Sequence, residues 1–257
     1  MTTTLRGGAT TEDARLDRVY ELDWRSLDYP VSATLDAEQV RYPRSYTWRL
    51  SQFFDQGREG ACVGYGFAHD LAATPVAVSG VTGGWAREIY WLAQQADQWP
   101  GGAYEGASPF YEGTSVLAGA KVVTDLEHYS GYTWALNAQE IAVGVGYKGP
   151  CILGLPWYQG MYATDTAGFI HRSGELIGGH CLLAIGVKIV WKSWINRFFS
   201  RKWDNVDYDR SYVTLNNSWG PSWGQNGRAK LSLSDLEALL AEQGDACFPE
   251  RIVKIFT

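Results

Sequence analysis

The apolar residues of this chain change their spacing once, near residue 130, and that change limits the folds open to it. Before it, three stretches repeat apolar residues at helical period. "CVGYGFAHDLAATPVAV" begins at Cys62 and is apolar around its circumference, as a buried helix is; it must end before Pro75, because the residue preceding a proline is pushed out of the helical region. "WAREIYWLAQQADQW" places Trp85, Ile89, Leu92 and Ala93 on one face and is stopped by "PGG" at 100–102. "TSVLAGAKVVTDL" starts at Thr114. After residue 130 come short runs, "PCILGLPW", "HCLLAIGVKIVW", "SYVTLNNSW" and "RAKLSLS", rich in aliphatic and β-branched residues and bounded by Gly, Pro, Asn or Ser, as strands are. Helices followed by strands predict an α+β fold of two lobes. Gly64 and Gly66 each cost the first helix about 1 kcal/mol relative to Ala, so another element is expected to approach it closely.

Composition narrows the function classes. A formal charge of −6 supplies no general basic face for nucleic acid. Neither a signal peptide nor an apolar run long enough to cross a membrane is read, which predicts a cytoplasmic protein. The four cysteines, Cys62, Cys151, Cys181 and Cys247, are scattered and form no CxxC pair. Neither a zinc site nor a disulfide framework is expected, and free thiols in a reducing compartment fit better. No metal and no organic cofactor are implied.

Four residues suggest chemistry. Cys62 falls at the first turn of the buried helix, where unpaired N–H groups and the helix dipole favour a thiolate and should lower the thiol pKa. The commoner role of a lone Cys in an apolar helix is core packing. Gln56, before the turn at Gly57, can aim an amide N–H at an oxyanion beside the sulfur, or can be a plain surface loop residue. His180 follows Gly178 and Gly179 at the head of an apolar strand, and these glycines clear space over the ring. His69 lies inside the first helix, whereas His128 and His171 sit in polar surroundings that suggest exposure. In "LNNSWGPSWGQNG", Asn217 can fix the tautomer of an imidazole, and Trp219 and Trp223 can shield that bond from water. The bland alternative is a polar turn with two packing tryptophans.

Taken in order, "DQGREGACVGYGFA", "GGHCLLAIGV" and "NNSWGPSWGQNG" resemble the three signature blocks of the papain-like cysteine peptidases, in which Cys, His and Asn act together. The likeness runs from about residue 42 to the C-terminus and is closest to compact bacterial or bacteriophage members. It implies an arm over 1–41 and a peptidase domain over 42–257. Within that domain it implies a helical lobe over about 50–130, an antiparallel barrel-like lobe over about 131–233, a segment 234–257, and an active-site cleft between the lobes. It further implies Cys62 as nucleophile, His180 as general base and acid, Asn217 as the group orienting the ring, and Gln56 with the Cys62 N–H as oxyanion donors. Gly113, Thr114, Gly179 and Trp219 would meet the substrate or cover the site, and the selectivity pocket would draw on the neighbourhood of Ala246 and Cys247. The implied reaction is endo- or exopeptidase hydrolysis of a peptide or protein through a thioester. An acyltransferase or amidase on the same fold, and a non-catalytic structural or binding module, are the alternatives.

The sequence also departs from the family. Glu59 stands where a disulfide-forming cysteine is usual, and Val63 replaces an aromatic. Cys181, next to His180, should face away from the cleft by strand alternation. About 40 residues precede the match, so inhibition by a removable domain is not expected; the arm either wraps the second lobe or lies in the groove. Lys188 to Lys202 carries basic and aromatic residues and no acid, so 188–203 is either a local contact surface or a solvated hairpin. Virion association would apply to a phage-encoded chain.

Overall fold

The computed structural model describes residues 2–194 and 201–251, and the side chain of Arg251 is outside the description. The arm opens with a small hairpin, β1 (Thr3–Thr4) with β2 (Thr10–Thr11). It continues through single turns to α1 (Ala37–Arg41), which a reciprocal Asp36–Gln39 capping box starts. β3 (Tyr46–Thr47) then joins the main sheet.

α2 (Cys62–Leu71) follows, with all ten residues buried. α3 (Gly83–Ala96) is started by the Thr82 side chain accepting from the Trp85 N–H, and α4 (Val116–Asp125) by Ser115 accepting from the Ala118 N–H. The expected close approach to α2 is made from two sides. A Cβ at Gly64 would stand 2.0 Å from the Ala86 carbonyl oxygen of α3, and one at Gly66 would stand 2.8 Å from the Cys181 sulfur on the sheet. The glycines therefore let α2 sit in direct backbone contact with a second helix while its other side lies on a strand.

The remaining strands are β4 (Tyr129–Trp134), β5 (Cys151–Tyr158), β6 (Leu176–Lys188), β7 (Tyr212–Asn216), β8 (Arg228–Ser232) and β9 (Asp245–Arg251). They form an antiparallel sheet in the order β4-β9-β5-β6-β7-β8, with β3 on β6. The second lobe is sheet-rich as expected, but the order ends at β4 and β8 and no closed barrel forms among the described residues.

Two helices that the sequence reading did not identify accompany the strands of the chain's second half. α5 (Ala138–Tyr147) is capped by Asn137, and α6 (Leu233–Ala241) by Ser232. Alternation along β6 separates two cores. Cys181, Leu183 and Ile185 pack with α2, α3 and α4, while Leu182, Ala184 and Val187 pack with α5, α6 and the opposite face. His180 therefore projects to the other side of the strand from Cys181.

Other expectations meet local corrections. His128 is half-buried, edge-on to Trp85, whereas His171 is exposed beside Asp165. His69 accepts from the Phe54 N–H at 2.9 Å, and burial pulls its pKa down to about 3. Glu59, at the usual cysteine position, makes an exposed ion pair with Arg87. Val63 is buried between α2 and α4. Of the 188–203 segment, Trp191 packs on the core and Trp194 is exposed; Phe198 and Phe199 lie outside the described residues. Among the described residues no helix is long and apolar enough to cross a membrane, and no three His, Cys, Asp or Glu side chains are placed to hold a metal.

Candidate active site

Cys62 is the first residue of α2, after Ala61, which supplies no side-chain cap. The N–H groups of that turn are thus open to other partners. The Cys62 sulfur accepts from the N–H of Cys181 at 3.2 Å, which sets it against the strand residue that follows His180. Its own N–H donates to Asp17 Oδ1 at 3.3 Å. Here one expectation is reversed. The thiol pKa is pushed well up, first by burial and then by the negative charge of Asp17, so the helix terminus does not win while the sulfur is covered.

His180 sits on β6 opposite Leu155. Its Nε2 lies 2.7 Å from Asn217 Oδ1, and that oxygen also accepts from the Ser218 N–H at 2.8 Å, which fixes the amide orientation. Nδ1 lies 3.2 Å from the carbonyl oxygen of Arg15. Both partners are acceptors, so both favour a doubly protonated ring, but complete burial outweighs them and lowers the pKa to about 4. A neutral ring has one N–H. Donated along the shorter contact, it goes to Asn217, and Nδ1 then meets the Arg15 carbonyl lone pair to lone pair. The ring is enclosed by Trp157, centroids 4.9 Å apart, and Trp219, at 4.6 Å. Trp219 thus lies directly against the His180 ring.

Gln56 ties the helical side to the Asn217 block. Its Oε1 accepts from the Ser218 hydroxyl at 2.5 Å, its Nε2 donates to the Glu59 carbonyl at 2.7 Å, and its N–H donates to the Ser218 carbonyl at 2.8 Å. One amide hydrogen of Gln56 stays available for a ligand.

The N-terminal arm passes directly over these groups. The Arg18 N–H donates to the Gly179 carbonyl at 3.1 Å, and the Val19 N–H to the Thr114 carbonyl at 2.9 Å, so the arm bridges strand β6 and the loop before α4. Gly113 and Gly179 are close-approach points: a Cβ would lie 2.6 Å from the Asp17 carbonyl oxygen and 2.2 Å from that of Arg18, respectively. Gly113, Thr114 and Gly179, nominated from sequence as substrate contacts, therefore line the track of the arm. Asp17 is fully buried and its pKa is raised to about 7 by that burial, against hydrogen bonds from Cys62 and Tyr90. Arg15 stacks on Trp219 at 4.3 Å and pairs with Asp13. Leu16 is buried in the sheet-side core. Arg6 anchors the start of the arm: it is completely buried, pairs with Asp97 at 2.9 Å and donates to the carbonyls of Gln94, Trp99, Pro100, Gly101 and Gly113.

Arg15, Asp17, Arg18 and Ser218 were not among the residues singled out from sequence. Ser218 had a signal, being next to Asn217 in the third block. The arm residues had none, since a charged residue in a polar stretch reads as solvated until its partner across the fold is known.

No protein-family model matches the sequence. Among characterised proteins, a gut-specific cysteine proteinase of Caenorhabditis elegans is 26% identical over 106 residues, which is 41% of this chain and 27% of that protein. Among solved structures, xylellain, a cysteine protease from Xylella fastidiosa, superposes with a TM-score of 0.62 at 14% identity over 94% of this chain and 98% of its own. A procathepsin B from Trypanosoma congolense gives 0.61 at 12% identity, covering 93% of this chain and 88% of its own. Bromelain from Ananas comosus, solved with the E64 inhibitor, gives 0.54 at 15%, covering 82% of this chain and all of its own. The chain has the fold of the papain-like cysteine proteases.

Proposed function

We propose that this protein is a cysteine peptidase that hydrolyses peptide bonds through Cys62, His180 and Asn217, and that the arrangement described is its closed form. The observation that carries the reading is the meeting of three elements at one residue pair of β6. The Cys62 sulfur accepts from the N–H of Cys181, while Asn217 holds the adjacent His180 through Nε2, so Nδ1 is the ring nitrogen that Asn217 leaves unused.

With the arm withdrawn, the thiol gives its proton to Nδ1 of His180 and the sulfur attacks the substrate carbonyl carbon. Negative charge on that oxygen is met by the Cys62 N–H and the remaining amide hydrogen of Gln56. His180 protonates the departing amine, leaving a thioester. It then takes a proton from water, which attacks the thioester, releases the acid and restores the thiol. The seated arm obstructs two of these groups: the Arg15 carbonyl faces Nδ1, and Asp17 occupies the Cys62 N–H. Inhibition from the N-terminal side is thus part of the reading.

The test is covalent labelling of the full chain by E64, the inhibitor bound in the bromelain structure. Modification mapped to Cys62, abolished in Cys62→Ser and strongly slowed in His180→Ala, is expected. Equal modification of wild type and Cys62→Ser, or none even after Arg15→Ala and Arg18→Ala loosen the arm, would refute the reading.

A further inference from the structure

The arm lies in the groove as a ligand would, and its side chains report what the groove accepts. The most specific seat is that of Arg18. Its guanidinium pairs with Asp245 at 2.8 Å, and Nη2 donates to the Gln243 carbonyl at 2.8 Å, with both side chains almost wholly withdrawn from water. Room for this head group comes from Gly154 on β5: a Cβ there would fall 2.1 Å from Asp245 Oδ1, 2.5 Å from Arg18 Nε and 2.8 Å from a Val116 methyl. The backbone of Arg18 is bonded to Gly179, next to His180, and its neighbour Asp17 reaches the Cys62 N–H. The pocket therefore lies one residue along from the point facing the sulfur. An aspartate walled by Gly154 and Val116 is poorly matched to an apolar side chain, which would leave it buried without a counter-charge.

We infer that this pocket selects a basic side chain, arginine or lysine, from the peptide that enters the groove, with Arg18 its built-in occupant and Asp245 its specificity determinant. As a statement about substrates this rests on the peptidase reading, so two experiments separate them. The first needs no catalysis. In full-length Arg18→Ala the pocket loses its occupant, and ethylguanidinium in the millimolar range should raise the melting temperature of that variant. It should do so neither in wild type nor in Arg18→Ala/Asp245→Asn. Arg18→Lys, which keeps the charge, serves if the alanine variant fails to fold: its ammonium should hold the pocket, and its melting temperature should fall when Asp245→Asn is added. No response of Arg18→Ala to ethylguanidinium, or no effect of adding Asp245→Asn to Arg18→Lys, overturns the inference.

The second experiment compares cleavage of paired peptides, differing only as arginine against norleucine, by full-length Arg18→Ala. A preference for arginine of at least about thirtyfold in kcat/KM is expected, from the cost of leaving one partner of a buried charge pair alone, and it should collapse in Arg18→Ala/Asp245→Asn. Efficient cleavage with norleucine preferred, or a preference indifferent to Asp245→Asn, overturns the pocket assignment while the peptidase reading stands. Failure of every peptide and of E64 sinks the peptidase reading, while the ethylguanidinium result still decides what the pocket binds.

Discussion

Asp17 on the arm and His180 beneath it titrate in opposite senses, and replacing either should expose a pH dependence that the wild-type protein conceals. Asp17 holds its proton up to about pH 7 when seated, against 3.8 for an ordinary Asp. Between these values release of the arm sheds a proton. The seating it confers is complete below pH 3.8 and is lost as pH rises toward 7, with the opening constant growing about tenfold per pH unit. His180 is the reverse: lowered to about 4 from 6.5, it takes up a proton on release, so its share of the seating is complete above 6.5 and is lost as pH falls toward 4. The two windows nearly coincide and the slopes cancel. Other groups facing them leave this unchanged: Cys62 and Tyr90 are pushed up out of range, and the Asp13–Arg15 pair stays charged throughout. The exception is Glu112, raised by burial, which adds in the same sense as Asp17 and makes the cancellation approximate.

Hydrogen exchange at the Arg18 and Val19 amides, both bonded across the groove, reads the opening constant once intrinsic exchange rates are divided out. Wild type should hold its protection within about tenfold from pH 4 to 6.5. Asp17→Asn should lose up to about 300-fold on acidification across that range, and His180→Gln should lose up to about 1,000-fold on going from pH 4 to 7. Flat profiles in both variants, or slopes of the same sign, would refute the argument that the arm is what buries these two groups.

Three further outcomes follow from the geometry. Gln56→Ala should lower the turnover number by about 100- to 1,000-fold with little change in KM, the signature of a donor that acts on the oxyanion, as measured by steady-state kinetics once the arm is released. Gly64→Ala should destabilise the protein by at least about 1 to 3 kcal/mol in chemical denaturation, since the added methyl meets the Ala86 carbonyl backbone at 2.0 Å. Arg6→Met leaves Asp97 buried without its partner; a loss of about 3 to 5 kcal/mol should appear as exchange in β1 and β2 well before the sheet opens.

How much of this was legible depends on how far apart the determining contacts lie in the chain. Cys62, Gln56, His180 and Asn217 could be named because each sits in a compact motif whose glycines and tryptophans are themselves informative. The tight environment of α2 was readable from Gly64 and Gly66, whose helical cost demanded a compensating contact. α5 and α6 were missed although their start signals are present: Asn137 with Glu140 three residues on, and Ser232 with Asp235. The valines and glycines of "IAVGVGY" suit a strand as well as a helix, and packing on the sheet decided between them. Arg18 and Asp245 stand 227 positions apart, and nothing local to either predicts the pair.

The thiol pKa was misjudged for a different reason, and it bears on how the centre works. The argument from the helix terminus concerned the Cys62 sulfur exposed to its turn of N–H groups and to a nearby imidazole. In the closed form the same sulfur is dry, faces the carboxyl of Asp17, and is served by an imidazole that burial keeps neutral. Residues 13–18 supply the carboxyl of Asp17 beside the sulfur and the Arg15 carbonyl against the ring. Withdrawing them admits water and removes the acidic neighbour, and both changes favour thiolate beside imidazolium, whereas loss of the Arg15 carbonyl gives up one acceptor for the ring. In the proposed mechanism, proton transfer from Cys62 and the seating of the arm are two readouts of one equilibrium, and a variant that loosens the arm without touching Cys62, such as Arg18→Ala, should raise thiol reactivity at neutral pH in proportion to the exchange of the arm amides.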